Sequence, residues 1–500
     1  MDYEEGRKKL EQERLWVQEK SSQKQLERHR KKRKYHVSER IEKLVDPGSW
    51  LEYGQFARSL EPAHKERSRR DAVMTGLGKI NGRTIAILGD DITSMGATQS
   101  FVTIRKSDRI IDIACRNQFP IISFSEGGGG RVPDIIGVGF SRILGFHRLE
   151  ALNSLANWED RPLFICCVFG YCYGDPAFRS GMADITIMVE DSAVAVSGPP
   201  LLEVAISEKI TDIELGGPEI HQTKTGLVDI VVKTEDDCIE AVKNILHILR
   251  PPEIPKDPVD RLVPSLEAII PHSNRYVYDM RKVIDELCDN GEWLELKPRF
   301  GKGLLVGLAR VGGQVVGIIA SQPLSAGGSV DARALQKSAA FLEFTTRRRI
   351  PLIVVQDIPG FLIGSDNEKD GMVNEIANHT KALDKVDVPM IVLIIRKSYG
   401  AAYYFLGCVA SGAQYVAAWP NAEISFMAPE MGAGILTKHV EPEKKEDAMK
   451  KTAADLERNA SVWGPAHEFL LDDIIAPEET RKMLCHALSL LATKAPGPLV

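Results

Sequence analysis

The strongest constraint on the fold of this 500-residue sequence is that its second half repeats its first half. Matched residues recur at a constant offset of 231 in a glycine-flanked hairpin, a Lys-Ser pair, a proline before a buried strand and the acidic residue that ends that strand. These pairs are Gly76 with Gly307, Lys106 with Lys337, Pro120 with Pro351, and Glu126 with Asp357. Later pairs are Pro162 with Pro389 and Gly174 with Ala401 at an offset of 227, then Ala183 with Ala413 and Pro199 with Pro429 at 230. Such self-similarity predicts a duplicated domain.

The organisation of the chain follows from this repeat. The motif that opens the first half, Asp46-x-Gly48-x-Trp50-Leu51-Glu52, resembles Asp289-x-Gly291-x-Trp293-Leu294-Glu295. Residues 1–45, rich in Lys, Arg, Glu and Gln, predict a helical segment, and the proline-dense residues 251–275 predict a linker. We therefore predict an N-terminal domain over residues 46–250 and a C-terminal domain over residues 276–500.

Each half alternates short apolar strands with helical stretches. The strands read FPIISFS and PLFICCVFG in the first half, and IPLIVVQD and PMIVLIIRK in the second. Continuous apolar runs of this length are typical of strands that are covered on both faces. The pattern predicts the α/β class in two tandem domains.

Composition excludes several classes of protein. The net charge of −6 gives no reason to expect a nucleic acid or an anionic membrane as partner, and no apolar run is long enough to span a membrane. The eight cysteines have no paired CxxC spacing, which favours reduced thiols in the cytoplasm over a zinc site, so no metal is expected. The P-loop, GxSxG and HExxH motifs are absent, so nucleotide binding and serine- or zinc-dependent hydrolysis are not expected.

Two turns in each half place backbone N–H groups at the end of a strand. One is the loop EGGGGR, Glu126 to Arg131, with its counterpart at Asp357 to Phe361. The other leads into a helix, at Gly174-Asp175-Pro176 and at Gly400-Ala401-Ala402, where Asp175 is expected to be the N-cap. Amides at such positions suit an oxyanion, although small residues there can also serve only close packing of strand and helix. Four loops at matching positions favour two oxyanion sites.

Motifs over most of the chain resemble the carboxyltransferase (beta) subunits of biotin-dependent acyl-CoA carboxylases. The likeness is carried by Asp357-Ile-Pro-Gly-Phe361 with Gly364, Arg396-Lys-Ser-Tyr-Gly-Ala-Ala-Tyr403, Ala418-Trp419-Pro420, Asp472-Asp-Ile-Ile475 with Pro477, and Leu215-Gly216-Gly217 with His221. The resemblance implies two crotonase-like (ClpP/crotonase) domains, each a ββα superhelix. It also implies a homo-hexamer with active sites at a dimer interface.

The activity that the resemblance implies is transfer of a carboxyl group from carboxybiotin to the α-carbon of an acyl-CoA, through an enolate held by backbone amides. Acyl-CoA would bind the N-terminal domain, and biotin, on a separate carrier supplied with a biotin carboxylase, would bind the C-terminal domain. Carried over by position, the catalytic residues are Gly174, Asp175, Ala401 and Ala402. Biotin would bind at Gly360, Phe361, Ala401 and Ala402, and the substrate at Gly129, Gly130, Arg131, Gly174 and Tyr404.

Departures from the family pattern leave two other hypotheses about the function open. The family's A-G-G-A turn is Tyr173-Gly174-Asp175-Pro176 here, which adds a carboxylate and removes one N–H because proline has none. Asp175 could therefore be a general acid or base in a biotin-independent acyl-CoA decarboxylase or hydratase. The chain could instead be a silent scaffold paralogue. If the Asp175 side chain turns to the helix amides, carboxyl transfer is favoured. If it turns into the acyl site, the biotin-independent decarboxylase or hydratase is favoured.

Overall fold

The computed structural model describes residues 2–18, 23–31, 33–138, 141, 161–251, 253–255, 257–274 and 276–491. The chain forms two compact units, residues 1–247 and residues 248–499. The predicted linker contains a short helix, Ser265–Ile269, whose Leu266 is buried.

The first unit is built on an eight-stranded sheet in the order β1-β2-β3-β4-β5-β6-β8, with β7 paired to β5. The first three strands are antiparallel and the others are parallel. Its strands are β1 Leu51–Tyr53, β2 Val73–Ile80, β3 Arg83–Asp90, β4 Ile121–Gly127, β5 Phe164–Tyr173, β6 Ile185–Val189, β7 Ala193–Ala195 and β8 Ile230–Val232. Its helices are α1 Tyr3–Gln18, α2 Gln23–Lys31, α3 Val37–Leu44, α4 Phe101–Asn117, α5 Val132–Ile135, α6 Asp175–Met182, α7 Pro199–Ile206, α8 Asp212–Gly216, α9 Pro218–Ile220 and α10 Glu235–Ile248.

The second unit has a sheet of the same topology, β9-β10-β11-β12-β13-β14-β16, with β15 paired to β13. Its strands are β9 Trp293–Leu296, β10 Leu304–Val311, β11 Gln314–Ser321, β12 Leu352–Ile358, β13 Met390–Tyr399, β14 Tyr415–Ala418, β15 Glu423–Ser425 and β16 Asp473–Ile474. Its helices are α11 Ser265–Ile269, α12 Met280–Leu287, α13 Ala332–Arg348, α14 Ser365–Lys369, α15 Met372–Asp384, α16 Ala401–Leu406, α17 Pro429–Leu436, α18 Pro442–Asn459, α19 Trp463–His467 and α20 Thr480–Leu491. The prediction of a duplicated α/β fold is confirmed.

Strand register repeats with the offset that the sequence predicted. Ala86 lies opposite Ile121 between β3 and β4, and Gly317 lies opposite Leu352 between β11 and β12, each 231 positions later. The repeated glycines have a packing reason, because a Cβ on Gly76 or Gly307 would lie 2.4 Å from a carbonyl oxygen of the neighbouring edge strand. Only glycine leaves room for that strand.

The predicted offset of 227 is wrong by one residue. Strand β4 pairs Ile121 with Phe164, and β12 pairs Leu352 with Met390, so the second strands are related by 226. Gly174 therefore corresponds to Gly400 rather than to Ala401, and both have φ +67° before a helix. Asp175 corresponds to Ala401, and Pro176 to Ala402.

In each half, the aspartate of the opening motif accepts hydrogen bonds from the turn of the first β-hairpin, β2–β3 or β10–β11. The carboxylate of Asp46 accepts the N–H groups of Asn81 and Gly82 at 3.0 and 2.8 Å. The carboxylate of Asp289 accepts those of Gly312 and Gly313 at 2.9 and 2.7 Å. The aspartate thus does the same structural work in both copies.

We expect Asp289→Ala to cost more stability than Asp46→Ala, because Asp289 also forms a buried ion pair with Arg481. Losing the hairpin bonds costs about 1–3 kcal/mol in either variant. Asp289→Ala adds the loss of the Arg481 pair, which is smaller than the about 3–5 kcal/mol of a sole buried partner because Asp257 stays 3.2 Å from Arg481. Denaturant unfolding of the two variants, compared with the wild-type chain, measures the difference. Equal losses would show that the Arg481 pair adds nothing.

No helix in the described ranges has the length and apolar character needed to cross a membrane.

Candidate active site

In the first unit, two turns meet at the ends of β4 and β5. A Cβ on Gly129 would lie 3.0 Å from the carbonyl oxygen of Tyr173 and 3.7 Å from the Cα of Gly174. Gly129 has φ +76°, which L side chains rarely adopt, so glycine is needed there for both reasons. The structure therefore brings together the two turns that the sequence singled out.

The N–H groups of these turns do not all remain available. The N–H of Gly174 donates to the carbonyl oxygen of Val196 at 3.1 Å. Among the described residues, the N–H groups of Gly129, Gly130 and Asp175 have no acceptor, and Pro176 has no N–H. The possible oxyanion donors are thus the two loop amides and the first amide of α6.

The loop that follows β4 is fixed from both sides. Backbone bonds join it to Gln99, whose N–H donates to the Gly129 oxygen at 2.8 Å and whose oxygen accepts the Arg131 N–H at 2.7 Å. The buried guanidinium of Arg131 donates to Asp71 at 2.6 Å, to the Thr98 oxygen at 2.7 Å and to Asp134 at 3.2 Å. With these protein partners the Arg131 side chain holds the shape of the loop.

The carboxylate of Asp175 does not turn to the amides of its own helix, the direction that the sequence analysis linked to carboxyl transfer. Helix α6 begins at Asp175 with Gly174 as its N-cap, so the prediction of Asp175 as the N-cap is wrong. Its Oδ2 accepts the side-chain amide of Gln99 at 2.7 Å and lies 3.2 Å from Nε of Arg179, while the side chain stays 35% exposed. The charge is therefore balanced by an arginine from its own helix.

Arg179 also binds deeper into the unit. Its guanidinium donates to the carboxylate of Asp90 at 2.6 Å and to the hydroxyl of Ser123 at 3.0 Å. Asp90 accepts the N–H of Glu126 at 3.2 Å as well. Burial raises the pKa of Asp90 to about 6, and the Arg179 guanidinium offsets only part of that effect.

The second unit repeats the backbone arrangement without these charges. The N–H of Val330 donates to the Gly360 oxygen at 3.2 Å, and the oxygen of Val330 accepts the N–H of Leu362 at 2.9 Å. The N–H of Gly400 donates to Ser425 at 2.9 Å. In the described part of the chain, the N–H groups of Ala401 and Ala402 at the start of α16 have no acceptor.

Aromatic rings surround this second turn. Phe361 from the loop packs on Phe405 with ring centroids 5.6 Å apart, and Tyr404 meets Phe405 edge-on at 5.3 Å. Tyr404 keeps 42% of its surface exposed. Through these ring contacts the loop of Gly360 and Phe361 lies beside helix α16, which begins at Ala401 and carries Tyr404.

The buried acid ahead of each loop has a cationic partner. Glu126 accepts from Arg40 of α3 at 2.9 Å, and Asp357 accepts from Arg396 at 2.9 Å and from the Tyr278 hydroxyl at 2.9 Å. These pairs hold the strand ends from which the loops leave. Burial makes each pair costly to break.

Sequence reasoning missed Gln99, Asp90 and Arg179. Arg179 lies four residues after Asp175, the spacing at which side chains meet on a helix, so this pair had a signal. Gln99 and Asp90 reach the site only through the pairing of distant segments, and no local pattern marks them.

The comparisons with known proteins agree with this geometry. The family described as the carboxyl transferase domain matches residues 28–498. The chain belongs to the carboxyl transferase family. Among its relatives is the propionyl-CoA carboxylase beta chain of Roseobacter denitrificans, 30% identical over 484 residues that cover 95% of this chain and 94% of that protein.

Two further comparisons bear on the activity. The methylmalonyl-CoA decarboxylase subunit alpha of Veillonella parvula is 30% identical over 483 residues, which cover 94% of this chain and 93% of that one. A crystal structure of the transcarboxylase 12S hexamer, with methylmalonyl-coenzyme A and methylmalonic acid bound, superposes with a TM-score of 0.90 at 27% identity and covers 99% of this chain and 98% of that one. The predictions of a crotonase-like fold and of a carboxyltransferase that acts on acyl-CoA are confirmed.

Proposed function

We propose that this carboxyltransferase moves a carboxyl group between biotin and the α-carbon of an acyl-CoA, with one repeat-related turn for each reactant. The observation that carries the proposal is that both turns present N–H groups without an acceptor in the described part of the chain, at the start of α6 and of α16. Such preorganised amides stabilise negative charge as it develops on oxygen.

The thioester oxygen would accept from the N–H of Asp175 and from Gly129 or Gly130. Gly174, whose own N–H is bonded to Val196, would serve by allowing the close approach of the two turns. Arg131 would act by holding the loop rather than by contacting the substrate, because its guanidinium is buried among protein partners. These amides would hold the enolate that forms when the α-proton leaves.

The ureido oxygen of biotin would accept from the amides of Ala401 and Ala402, with Gly360 and Phe361 beside it. The residues fit this group, because two adjacent N–H groups without an acceptor begin α16, and the Phe361 ring of the neighbouring loop packs on Phe405 of the same helix and offers an apolar surface. When bound, biotin on its carrier would supply the carboxyl group and, at its ureido nitrogen, a base for the α-proton that the new carbon–carbon bond replaces. The chain's own residues orient both reactants and keep the enolate oxygen neutralised.

The acyl group we propose is short, of the propionyl and methylmalonyl class. The relatives named above are a propionyl-CoA carboxylase chain and a methylmalonyl-CoA decarboxylase subunit, and the transcarboxylase structure holds methylmalonyl-CoA. Tyr404, half exposed beside the biotin turn, would limit the length of the acyl chain.

A second copy of the chain is the partner proposed for the site, within a homo-hexamer such as the transcarboxylase forms. Each unit exposes large apolar side chains at repeat-related positions around its turns. They are Val132 and Ile363, Phe178 and Tyr404, Val196 and Phe426, Leu201 and Met431, and Ile206 and Leu436. Apolar surface of this kind marks an interface, and matching faces on the two units suit a dimer in which a first unit meets the second unit of its neighbour.

The remaining partners are a biotin carboxylase and a biotin carrier protein, and we propose the cytoplasm as the compartment. All eight cysteines lie in the described residues and all are free, as a reducing compartment would keep them.

Decarboxylation of an acyl-CoA is a second candidate, favoured by the similarity to the methylmalonyl-CoA decarboxylase subunit. The same turns would hold the enolate that is left when the carboxyl group departs. The two candidates differ in the fate of that group.

The test supplies the purified chain with a panel of acyl-CoAs, biotin carboxylase, carrier protein, ATP and radiolabelled bicarbonate. We expect label on propionyl-CoA, lost when the carrier is omitted. Consumption of methylmalonyl-CoA without any biotin component would favour the decarboxylase. If the chain assembles with an active carboxyltransferase subunit but binds no acyl-CoA, only the hypothesis of a silent scaffold paralogue remains.

A further inference from the structure

We propose that Gln99 is a positioning residue that locks the two turns of the thioester site together, with the Asp175 carboxylate as its anchor. The proposal rests on the proposed function of that site. It assigns to Asp175 a holding role in place of proton transfer.

Gln99 contacts both turns at once. Its backbone binds the loop on either side of Gly130, through the Gly129 oxygen and the Arg131 N–H. Its buried side-chain amide donates to Oδ2 of Asp175 at 2.7 Å. The residue that carries the helix amide is thereby tied to the loop that carries the other amides.

Arg179 makes a second polar connection between helix α6 and the loop that follows β4. It binds Asp175 on the outer side, and on the inner side it binds Asp90, which accepts the N–H of Glu126. Glu126 precedes the loop, and Gln99 binds the loop at its far end. Helix α6 is therefore connected to both ends of the loop through polar side chains.

The second unit serves as an internal comparison. At the positions equivalent to Gln99, Asp175, Arg179 and Asp90 it has Val330, Ala401, Phe405 and Ser321. Val330 repeats the backbone bonds to its loop, but its side chain cannot bond to Ala401. The second unit keeps one of these contacts, because the N–H of Asp357 donates to the Ser321 hydroxyl oxygen at 2.6 Å. The side-chain contacts that Gln99 and Arg179 make with Asp175 belong to the thioester side alone.

The start of α6 on the thioester side also has fewer backbone N–H groups than the start of α16 on the biotin side. Pro176 removes the N–H that Ala402 keeps on the other side, so a single helix amide remains. The position of that amide relative to the loop then matters more, because a displacement of about 1 Å from productive geometry can cost about 100-fold in rate. The contacts that Gln99 and Arg179 make with Asp175 fix the position of its N–H relative to the loop.

The same contacts argue against proton transfer by Asp175. One oxygen is already shared by Gln99 and Arg179. A carboxylate bound in this way is a structural anchor.

The test compares Gln99→Met, Asp175→Asn and Asp175→Ala, with Gln222→Met as the matched control because it breaks another Gln–carboxylate bond, at Glu219, on the surface. We expect Gln99→Met and Asp175→Ala to lower kcat about 100-fold with KM for acyl-CoA and for the biotin carrier within threefold. Asp175→Asn keeps an oxygen that accepts from Gln99, so its kcat should stay within tenfold. Gln222→Met should match the wild-type chain.

The opposite ranking would overturn the proposal. If Asp175 transfers a proton, Asp175→Asn falls as far as Asp175→Ala while Gln99→Met keeps its kcat. Should Asp175→Ala fail to fold, the pair Gln99→Met and Asp175→Asn still decides. A wild-type chain without carboxyl transfer would instead reject the proposed function, and this inference with it.

Discussion

Replacing Ala401 by proline should lower kcat for carboxyl transfer about 100- to 1000-fold, the usual loss when one oxyanion donor is removed. Proline removes the N–H at the first position of α16 but suits that position, where no intrahelical bond is lost and the fixed φ fits the helix. Gly400 before it is extended in ψ, as a residue ahead of proline must be. The measurement is kcat with saturating acyl-CoA and carrier.

The affinity for acyl-CoA serves as the control, because Ala401 belongs to the proposed biotin side. It should not change by more than about threefold. Ala402→Pro shows which amide acts, since the first unit already accepts proline at the equivalent Pro176. Full activity in both variants would mean that the amides at the start of α16 are not donors in the reaction.

Gly129→Ala should reduce kcat/KM for acyl-CoA at least about 100-fold. Its Cβ would sit 3.0 Å from the Tyr173 oxygen at a φ of +76°, a conformation that costs roughly 1–2 kcal/mol for an L residue. The two turns must then separate, and the loop amides leave their position beside the Asp175 N–H. Steady-state kinetics with varied acyl-CoA measures the loss.

The matched control is Gly128→Ala in the same loop. Its Cβ would meet only the Thr98 methyl group at 3.4 Å, an ordinary contact, and its φ is not in the left-handed region. We expect its kcat/KM to stay within about threefold of the wild-type value. Equal damage by both substitutions would point to general disorder of the loop rather than to the approach of the two turns.

The duplication could be predicted in detail because it rests on register. The offset of 231 relates helix caps as well as strands: α4 has Ser100 as N-cap and Gln118 as C-cap, and α13 has Asp331 and Arg349 at the same positions. Both C-cap residues take the left-handed conformation. Capping and alternation are local properties, so sequence reasoning reaches them.

The site could be predicted only in part. The four turns were found because small residues and strand ends are visible in the sequence. Their alignment was wrong by one because Pro162 and Pro389 match in identity but not in pairing, and only the sheet register gives 226. The cap was wrong because the sharp turn after β5 needs φ +67°, which glycine adopts and aspartate rarely does.

In each half, the first hairpin is held by an aspartate that lies close to it in the sequence, and this has a consequence for biosynthesis. Asp46 reaches amides only 35 and 36 positions ahead, and Asp289 reaches amides 23 and 24 positions ahead. Every strand of the first sheet also finds its partner before residue 233. The first half can therefore complete its sheet while the ribosome is still making the second, and the growing chain need not hold unpaired strand edges open for half its length.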